Sequence, residues 1–550
     1  MNKKNVRAII PALHILLTFI LERLIFSFSW DNLEFKTSIA RTDYFISDKA
    51  EMIITYILSK LVAVIIILLV WKLVFCLIDR KISKEIIRLF GIIYLVGLLV
   101  EVFLYPAIFG LEVDNYANYA LAVRFLPTYW HSIFTGAVYA GCMMVIPHPI
   151  AIFLVQWSCF VATIAFIYNG VNDITGGSKA KYGSLLFFVM PWTYEVVCDA
   201  YRNDYYTILC LFYFSVIFFA FKSGKGLNKQ QIVIAALLSA FVMVWRSEGL
   251  FVGFGGFIFL LLFCAKTDKK NIIKAVVVML CSFILLHSIQ GIGTKKYYGK
   301  DYVLINSTGV LNNIFNDPYA DLSYEGAEED LENIEAVIPV QILKESGISG
   351  YRDYNFTNGI PDANQTLASD EVASAYMKSY YRIVLHNIKD YVKRQLSCMC
   401  YAMQLNVSPT TYTYTDGVYT ELDSFVYEQR ELGKEEFLNT PFTSAWEQNN
   451  FRRLVSNMIM PLILKWQGFV GLNILLSSLA ILGIIRLFIH EIAEAFKNRQ
   501  LRNVYLFMSL IILAELCAIA VFIPEGRPYY LFPMLYSCYL TIYFATLRGE

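Results

Sequence analysis

Charge is what this chain has least of. Only 17% of its 550 residues are Asp, Glu, Lys or Arg, where a soluble chain carries about a quarter. That shortage excludes an ordinary cytosolic enzyme, a disordered chain and a nucleic-acid binder together. Histidine is sparse, six residues in all, with no second His at metal-site spacing from His131 or His148. The eleven cysteines contain no CxxC, and nine lie in or beside apolar runs, where cysteine acts as a small hydrophobe. There is no GxxxxGK[ST] phosphate loop and no GxSxG elbow, so nucleotide hydrolysis is not expected to power the protein. Internal repeats, heptads and Pro-rich or Ser-rich tethers are missing too.

What fills the chain instead is apolar. Hydrophobic residues make up 57% and aromatics 16%, and the mean hydropathy is +0.51. A polar shell cannot cover that much apolar surface, so the expected solvent for most of the chain is lipid. Runs approaching the roughly 20 residues that cross a bilayer occur near 9–29, 52–78, 87–109, 149–170, 271–292, 468–489, 503–523 and 529–547. Between 182 and 265 the apolar sequence is interrupted by charge at AYRNDYY (200–206), KSGKGLNKQ (222–230) and WRSEG (245–249). That stretch reads as four shorter spans and brings the expected total to about twelve. MNKKNVR ahead of the first run has no small-residue cleavage site after it, and Glu22 and Arg23 interrupt the run, so an uncleaved first span is expected.

Lys and Arg collect on the cytoplasmic side of a membrane protein. With the N-terminus inside, the basic loops near Arg80, Lys179, Lys222, Lys266 and Lys497 all fall inside only if the run 132–146 does not cross. That run is expected to lie as a helix in the outer interface. Both termini are then cytoplasmic. The fold expected is an all-α polytopic membrane protein in four parts. Residues 1–85 hold two additional N-terminal spans, and 86–292 a transmembrane core with an outer loop and interfacial helix at 110–148. Residues 293–453 form an extracytoplasmic domain of mixed or mainly α structure, and 454–550 the last spans. The outer segment carries 23 acidic and 14 basic residues, and the remainder of the chain is net positive.

The ionisable residues that loop charge does not explain all sit at outer ends of spans: Glu112, Asp114, Glu195, Asp199, Arg202, Asp204, Arg246, Glu248, Glu525 and Arg527. Charge near hydrocarbon is costly unless paired or wet, so a shared aqueous pocket is the expectation. Each residue also has a plainer role. Asp114 opens DNYANYALA and can cap the helix that follows. Arg246 can pair with Glu248 alone. Arg202 and Arg527, flanked by Tyr201, Tyr205 and other tyrosines, can be snorkelling cations in an aromatic belt, although the planar guanidinium also suits phosphate. His131, His148 and Lys295 are further pocket candidates, with turn and boundary roles as their plain alternatives. The intramembrane Glu22, Arg23, Lys60 and Glu101 are expected to pair between helices or to face the pocket.

DNYANYALA in an early outer loop, YWHSIFTGAVYAG, the Pro-centred MPWTYEVVCDAYRNDYY, WRSEG and a terminal EGRPYY follow one another in an order that resembles the GT-C superfamily of polytopic glycosyltransferases. That superfamily includes protein O-mannosyltransferases and lipid A aminoarabinose transferases. The resemblance spans most of residues 85–550. Many relatives have an Asp-Glu pair in the first loop, where this chain has Asp114-Asn115. It implies an enzyme that moves a sugar from a polyprenyl-phosphate carrier to a glycan, lipid or protein acceptor on the outer face of a membrane, a bacterial plasma membrane being the fit. On that implication Asp114 is the base. Arg202, Arg246 and Arg527, with Tyr201 and Tyr205, hold the phosphate. Asp199, Asp204 or Glu248 orients the donor or a divalent cation, the one cofactor the reading admits. The competing classes are a flippase or transporter of lipid-linked saccharides and a polymerase or ligase of them. Crowding of charge at the outer ends and the absence of paired halves favour the enzyme.

Overall fold

The structure, a computed structural model, describes residues 3–26, 28–31, 48–110, 114–127, 132–199, 202–297, 301–345, 369–403, 431–498, 503–523, 526 and 528–547. They are almost entirely helical. In chain order the α-helices are α1 (Lys3–Leu21), α2 (Asp48–Ile78), α3 (Lys84–Leu104), α4 (Asp114–Ala122), α5 (Ile133–Val145), α6 (Ile150–Ile174), α7 (Thr193–Cys198) and α8 (Arg202–Lys222). Next come α9 (Lys229–Trp245), α10 (Gly249–Phe259), α11 (Lys269–Tyr297), α12 (Asp301–Phe315), α13 (Ala327–Glu335), α14 (Val340–Glu345), α15 (Asp370–His386) and α16 (Ile388–Ala402). Helix α17 covers 431–438. The last are α18 (Pro441–Glu447), α19 (Asn450–Gln467), α20 (Val470–Asn498), α21 (Val504–Phe522) and α22 (Phe532–Thr546).

Seven of these, α2, α3, α6, α8, α11, α20 and α21, are long and apolar enough to cross a membrane, and the chain is an all-α membrane protein. At 1.5 Å per residue, the 21 residues of α3 reach about 32 Å, the thickness of a hydrocarbon core. Leucines and isoleucines such as Leu61, Ile65, Leu68, Leu95, Leu99 and Ile284 stand exposed along these helices, as lipid contact requires. Of the four short spans expected over 182–265, α8 is full length, while α9 and α10 are short apolar helices. The remaining one is not an α-helix but a 3₁₀-helix, Lys179–Phe188, followed by a turn and α7.

Side chains satisfy the backbone where that segment breaks. Pro191 lies in the turn between the two pieces and has no N–H to donate. The Thr193 hydroxyl donates to the carbonyl of Phe187 (2.6 Å) and meets the Tyr536 hydroxyl of α22 at 2.8 Å. Gln156 of α6 donates to the carbonyls of Val196 and Asp199, each at 2.7 Å. Irregular backbone at membrane depth survives only when enclosed in this way.

Neighbouring helices run antiparallel, as contacts at matched ends show. Arg7 bonds Asp79 at one end of α1 and α2, and Lys60 pairs with Glu22 at 2.5 Å toward the other. At the starts of α3 and of the 3₁₀ segment and the finish of α6, Lys181 meets Glu85 (2.9 Å) and Asn172 (3.1 Å), and Tyr168 donates to Glu85 (2.6 Å). At that same end Ser83, Ser178, Asn228 and Asn503 cap the elements that follow them. This is the end the charge pattern assigns to the inside.

Helix α5 departs from expectation. Eleven of its thirteen residues are buried, enclosed by α2, α4 and α6, and Gly141 lies so close to Val62 and the Ser59 carbonyl that a side chain would not fit. It lacks the lipid-facing surface of an interfacial helix. Its residues are small enough (Gly136, Ala137, Ala140, Gly141) to be packed on all sides. In the segment expected as a mixed or mainly α domain, the regular structure among the described residues is all helix, joined by turns such as 316–326 and 336–339. Helices α12 to α15 surround a core of Val310, Leu311, Ile314, Ile334, Tyr376 and Ile383, separate from the transmembrane core. Helix α11 runs past 292 to Tyr297, and α19 begins at Asn450.

The Thr193→Val variant removes the only side-chain hydroxyl bonding Phe187 among the described residues and leaves the Tyr536 hydroxyl without it. A buried polar group so stranded costs about 1–3 kcal/mol, so the midpoint of thermal unfolding in detergent is expected to fall, with the helical circular dichroism spectrum unchanged before the transition.

Candidate functional site

Loops far apart in sequence meet at the end of the bundle that the charge pattern assigns to the outside. The first junction joins α4 to the turn after α7. Asn115, the second residue of α4, donates its amide to the Asp199 carboxylate (2.7 Å), and its own carbonyl accepts from the Tyr139 hydroxyl of α5 (3.0 Å). All three are buried. Because Gln156 holds the Asp199 carbonyl from α6, the residue is fixed through both backbone and side chain.

The second junction joins the start of α8 to the turn between α9 and α10. Arg246 bonds Asn203 with Nη1, and grips Glu248 with Nε (3.1 Å) and Nη2 (2.9 Å). Ser247 adds a hydroxyl to Glu248 at 3.1 Å, and Trp245 donates its indole N–H to the carbonyl of Arg202 (2.8 Å). Burial alone would raise the Glu248 carboxyl, but the charge and hydrogen bonds of Arg246 outweigh it and bring it down to about 2. The ring of Tyr530, which follows EGRP in sequence, lies 5.6 Å from the Arg246 guanidinium carbon and that of Tyr206 lies 5.8 Å away. Beneath them the Tyr206 hydroxyl donates to Glu515 of α21 at 3.0 Å.

The candidate residues thus fall into three groups. Asp199, Asp204, Arg202, Arg246 and Glu248 are brought together on the turns around α8. Asp199, Asp204 and Arg246 are buried, and Arg202, the first residue of α8, is half-buried. Tyr205 also belongs to α8, its hydroxyl donating to the Ile152 carbonyl of α6 (3.2 Å). His148 stands apart. Its Nδ1 accepts from the Ile150 N–H (3.1 Å), its Nε2 meets the Thr443 hydroxyl (3.3 Å), and burial pushes the imidazole down to about 4. A neutral turn histidine fits that environment. Asp114 supplies the first residue of α4, next to the Asn115–Asp199 bond, with its side chain outside the described residues. His131, Tyr201 and Arg527 and the side chain of Lys295 also lie outside them.

Arg246 has the self-contained pair foreseen as its plain alternative, and three of its five N–H groups are used within the protein. The residues that sequence reasoning missed are mostly neutral: Asn115, Tyr139, Gln156 and Asn203 carry no charge to betray them in an apolar context. Glu515 did have a signal, a lone acid inside an otherwise apolar run. Glu101 does not pair with the other intramembrane charges. It is buried near the end of α3, and neither of its carboxylate oxygens has a hydrogen-bond partner among the described residues. Among the described residues no three His, Cys, Asp or Glu side chains group as metal ligands.

Removing Arg246 alone leaves the Glu248 carboxylate uncompensated, a loss of about 3–5 kcal/mol for a buried pair. Thermal unfolding in detergent is expected to show Arg246→Met well below the double variant Arg246→Met/Glu248→Gln. Since the folded carboxyl lies below its unfolded value, the pair's contribution is complete above roughly pH 4.3. The gap between wild type and Glu248→Gln is therefore constant from pH 7 to 5 and shrinks as pH falls from there through about 2.

No protein-family model, no curated protein and no solved structure matches this chain.

Proposed function

We propose that the protein is a membrane glycosyltransferase that moves a sugar from a polyprenyl-phosphate carrier to an acceptor hydroxyl at the outer membrane face. The observation that carries this reading is the pair of junctions around α8. Asn115 joins the Asp114 helix to Asp199, and Arg246 joins Asn203 to the turn before α10 and, through Tyr530, to the EGRPYY segment. These contacts bring the Asp199 carboxylate, the Arg246 guanidinium and the Tyr530 ring to the turns around α8, and the segments that carry Asp114 and Arg527 lead into them, which supports a site for a lipid headgroup.

The chemistry needs little more. The acceptor oxygen attacks the anomeric carbon and forms the new glycosidic bond, while the bond from that carbon to the phosphate oxygen breaks. The phosphate leaves with the electron pair as a stable anion, so no acid need protonate it, and Arg side chains hold the charge. The proton of the acceptor hydroxyl passes to a carboxylate. Asp114 takes that role, and a single displacement inverts the anomeric centre. Arg202 and Arg527 take the phosphate. Arg246 orders Asn203 and offers the N–H groups that bond no described residue, and Asp199, locked by Asn115 and Gln156, orients the donor. The neutral Asn115 fits here because a second carboxylate 2.7 Å from Asp199 would need a shared proton or a cation.

The test is transfer from a polyprenyl-phosphate sugar in proteoliposomes. Asp114→Asn is expected to lower the rate by about 10²–10⁴-fold, the usual worth of a general base, with donor binding retained. Arg202→Gln is expected to raise KM for the donor. Transfer by Asp114→Asn at near the wild-type rate would remove Asp114 as the base.

A further inference from the structure

The domain between α11 and α19 has an apolar stripe that its own core does not use. Tyr381 and Leu385 lie one turn apart on α15, and Ile388, Val392 and Leu396 follow at one-turn intervals on α16, the two helices meeting at the non-helical Asn387. They are not grazing exposures: Leu385 is 69%, Ile388 51%, Val392 47% and Leu396 59% exposed. A folded domain surrounded by water seldom leaves so continuous an aliphatic row uncovered.

The surroundings of α16 say what covers it. Its protein-facing side is fixed to the transmembrane body. The Tyr391 hydroxyl donates to the carbonyl of Val521 at the last turn of α21 (2.6 Å), and Gln395 donates to the same carbonyl. Gly526 lies against Tyr401 and the Cys398 carbonyl so closely that it has no room for a side chain. Cys398 and Ala402 belong to the same buried cluster as the spans. Helix α16 therefore rests at the level where α21 ends, and the row 388, 392, 396 stands about a quarter turn from its docked side. Beyond that row, on the side away from the spans, come Lys389 and Lys393, both exposed. Lys393 lies 3.8 Å from Asp317, a loose pairing. Protein, then aliphatic row, then lysines is the order in which a helix meets hydrocarbon and then headgroup phosphates.

We propose that α16, with the last turn of α15, is a membrane-embedded face of this domain. Its aliphatic row lies in the acyl boundary of the outer leaflet, and Lys389 and Lys393 engage the phosphates of anionic phospholipids. The domain is thus seated in the bilayer beside the EGRPYY turn and not held above it. This depends on the chain being a membrane protein and not on its transferring a sugar.

The full-length protein in nanodiscs of mixed phosphatidylglycerol and phosphatidylcholine tests it. A benzophenone amino acid replaces Leu385, Val392 or Leu396 in separate variants, with Glu371, about 21 Å back along α15 from Leu385, as a position beyond the embedded turn, and the adducts formed on irradiation are identified by mass spectrometry. Acyl-chain adducts at the three row positions and none at 371 are expected. In Lys389→Gln/Lys393→Gln, the share of phosphatidylglycerol among those adducts should fall toward its share in the disc. Row positions that give no lipid adduct, or that cross-link to a second protein chain, overturn the proposal. An unchanged lipid share in the double variant overturns the role of the lysines. Each variant is first checked for wild-type elution on gel filtration and wild-type helicity, so that a misfolded protein is not scored.

Discussion

A polar group carried into hydrocarbon has to find its partner inside the protein, and most of this structure follows from that constraint. Lys60 finds Glu22, Lys181 finds Glu85 and Asn172, Arg452 caps the end of α3 by donating to the carbonyls of Leu104 and Tyr105, and Thr193 closes the break before α7. Where both partners are present the cost of burial is largely offset, and where one is missing it is not. The same rule gives meaning to the exceptions. Glu101, with two oxygens unpartnered among the described residues, and Glu515, with one, are acids that packing alone does not account for. Both stand on helices that border the outer site.

The gathering of the site is a consequence of short connections. Helix α8 begins within a few residues of Asp199, the α9–α10 turn is only three residues long, and nine residues separate α21 from α22. Turns so tight bring their polar residues to the same depth. Amides then do the joining: Asn115, Gln156 and Asn203 each hold a charged residue or a carbonyl from another element. An amide can bridge without adding charge to a buried site, which suits these neutral residues to joining elements there.

Much of this was legible in the sequence, and the reasons for the rest are physical. Long apolar runs and loop charge gave the helical membrane fold, and the spacing of AYRNDYY, WRSEG and EGRPYY gave the segments that meet. Hydropathy did not distinguish α5 as an enclosed helix, because a run of Gly, Ala and Met looks the same to a hydropathy count whether lipid or protein surrounds it. Nor did it foresee a 3₁₀-helix at 179–188, which depends on hydroxyl and amide partners from α6 and α22. The stripe on α15 and α16 was present in the sequence at helical spacing, but it reads as ordinary core until the other face of the same helix is seen to be buried. Gln156 left no signal, since an uncharged amide near an apolar run is unremarkable, and Asn115 stood out only as the amide beside Asp114, not as the partner of Asp199.

The central claim is that the outer turns around α8 form a phosphate site served by an acid. A structure of the full-length protein with a short-chain polyprenyl phosphate measures this directly. The account predicts phosphate density within hydrogen-bonding distance of Arg202, between the Asn115–Asp199 and Arg246–Glu248 junctions, with the isoprenoid chain leaving toward lipid. Phosphate bound instead at the opposite end of the bundle, by Lys181 or the basic turns near Arg80 and Lys222, would contradict it.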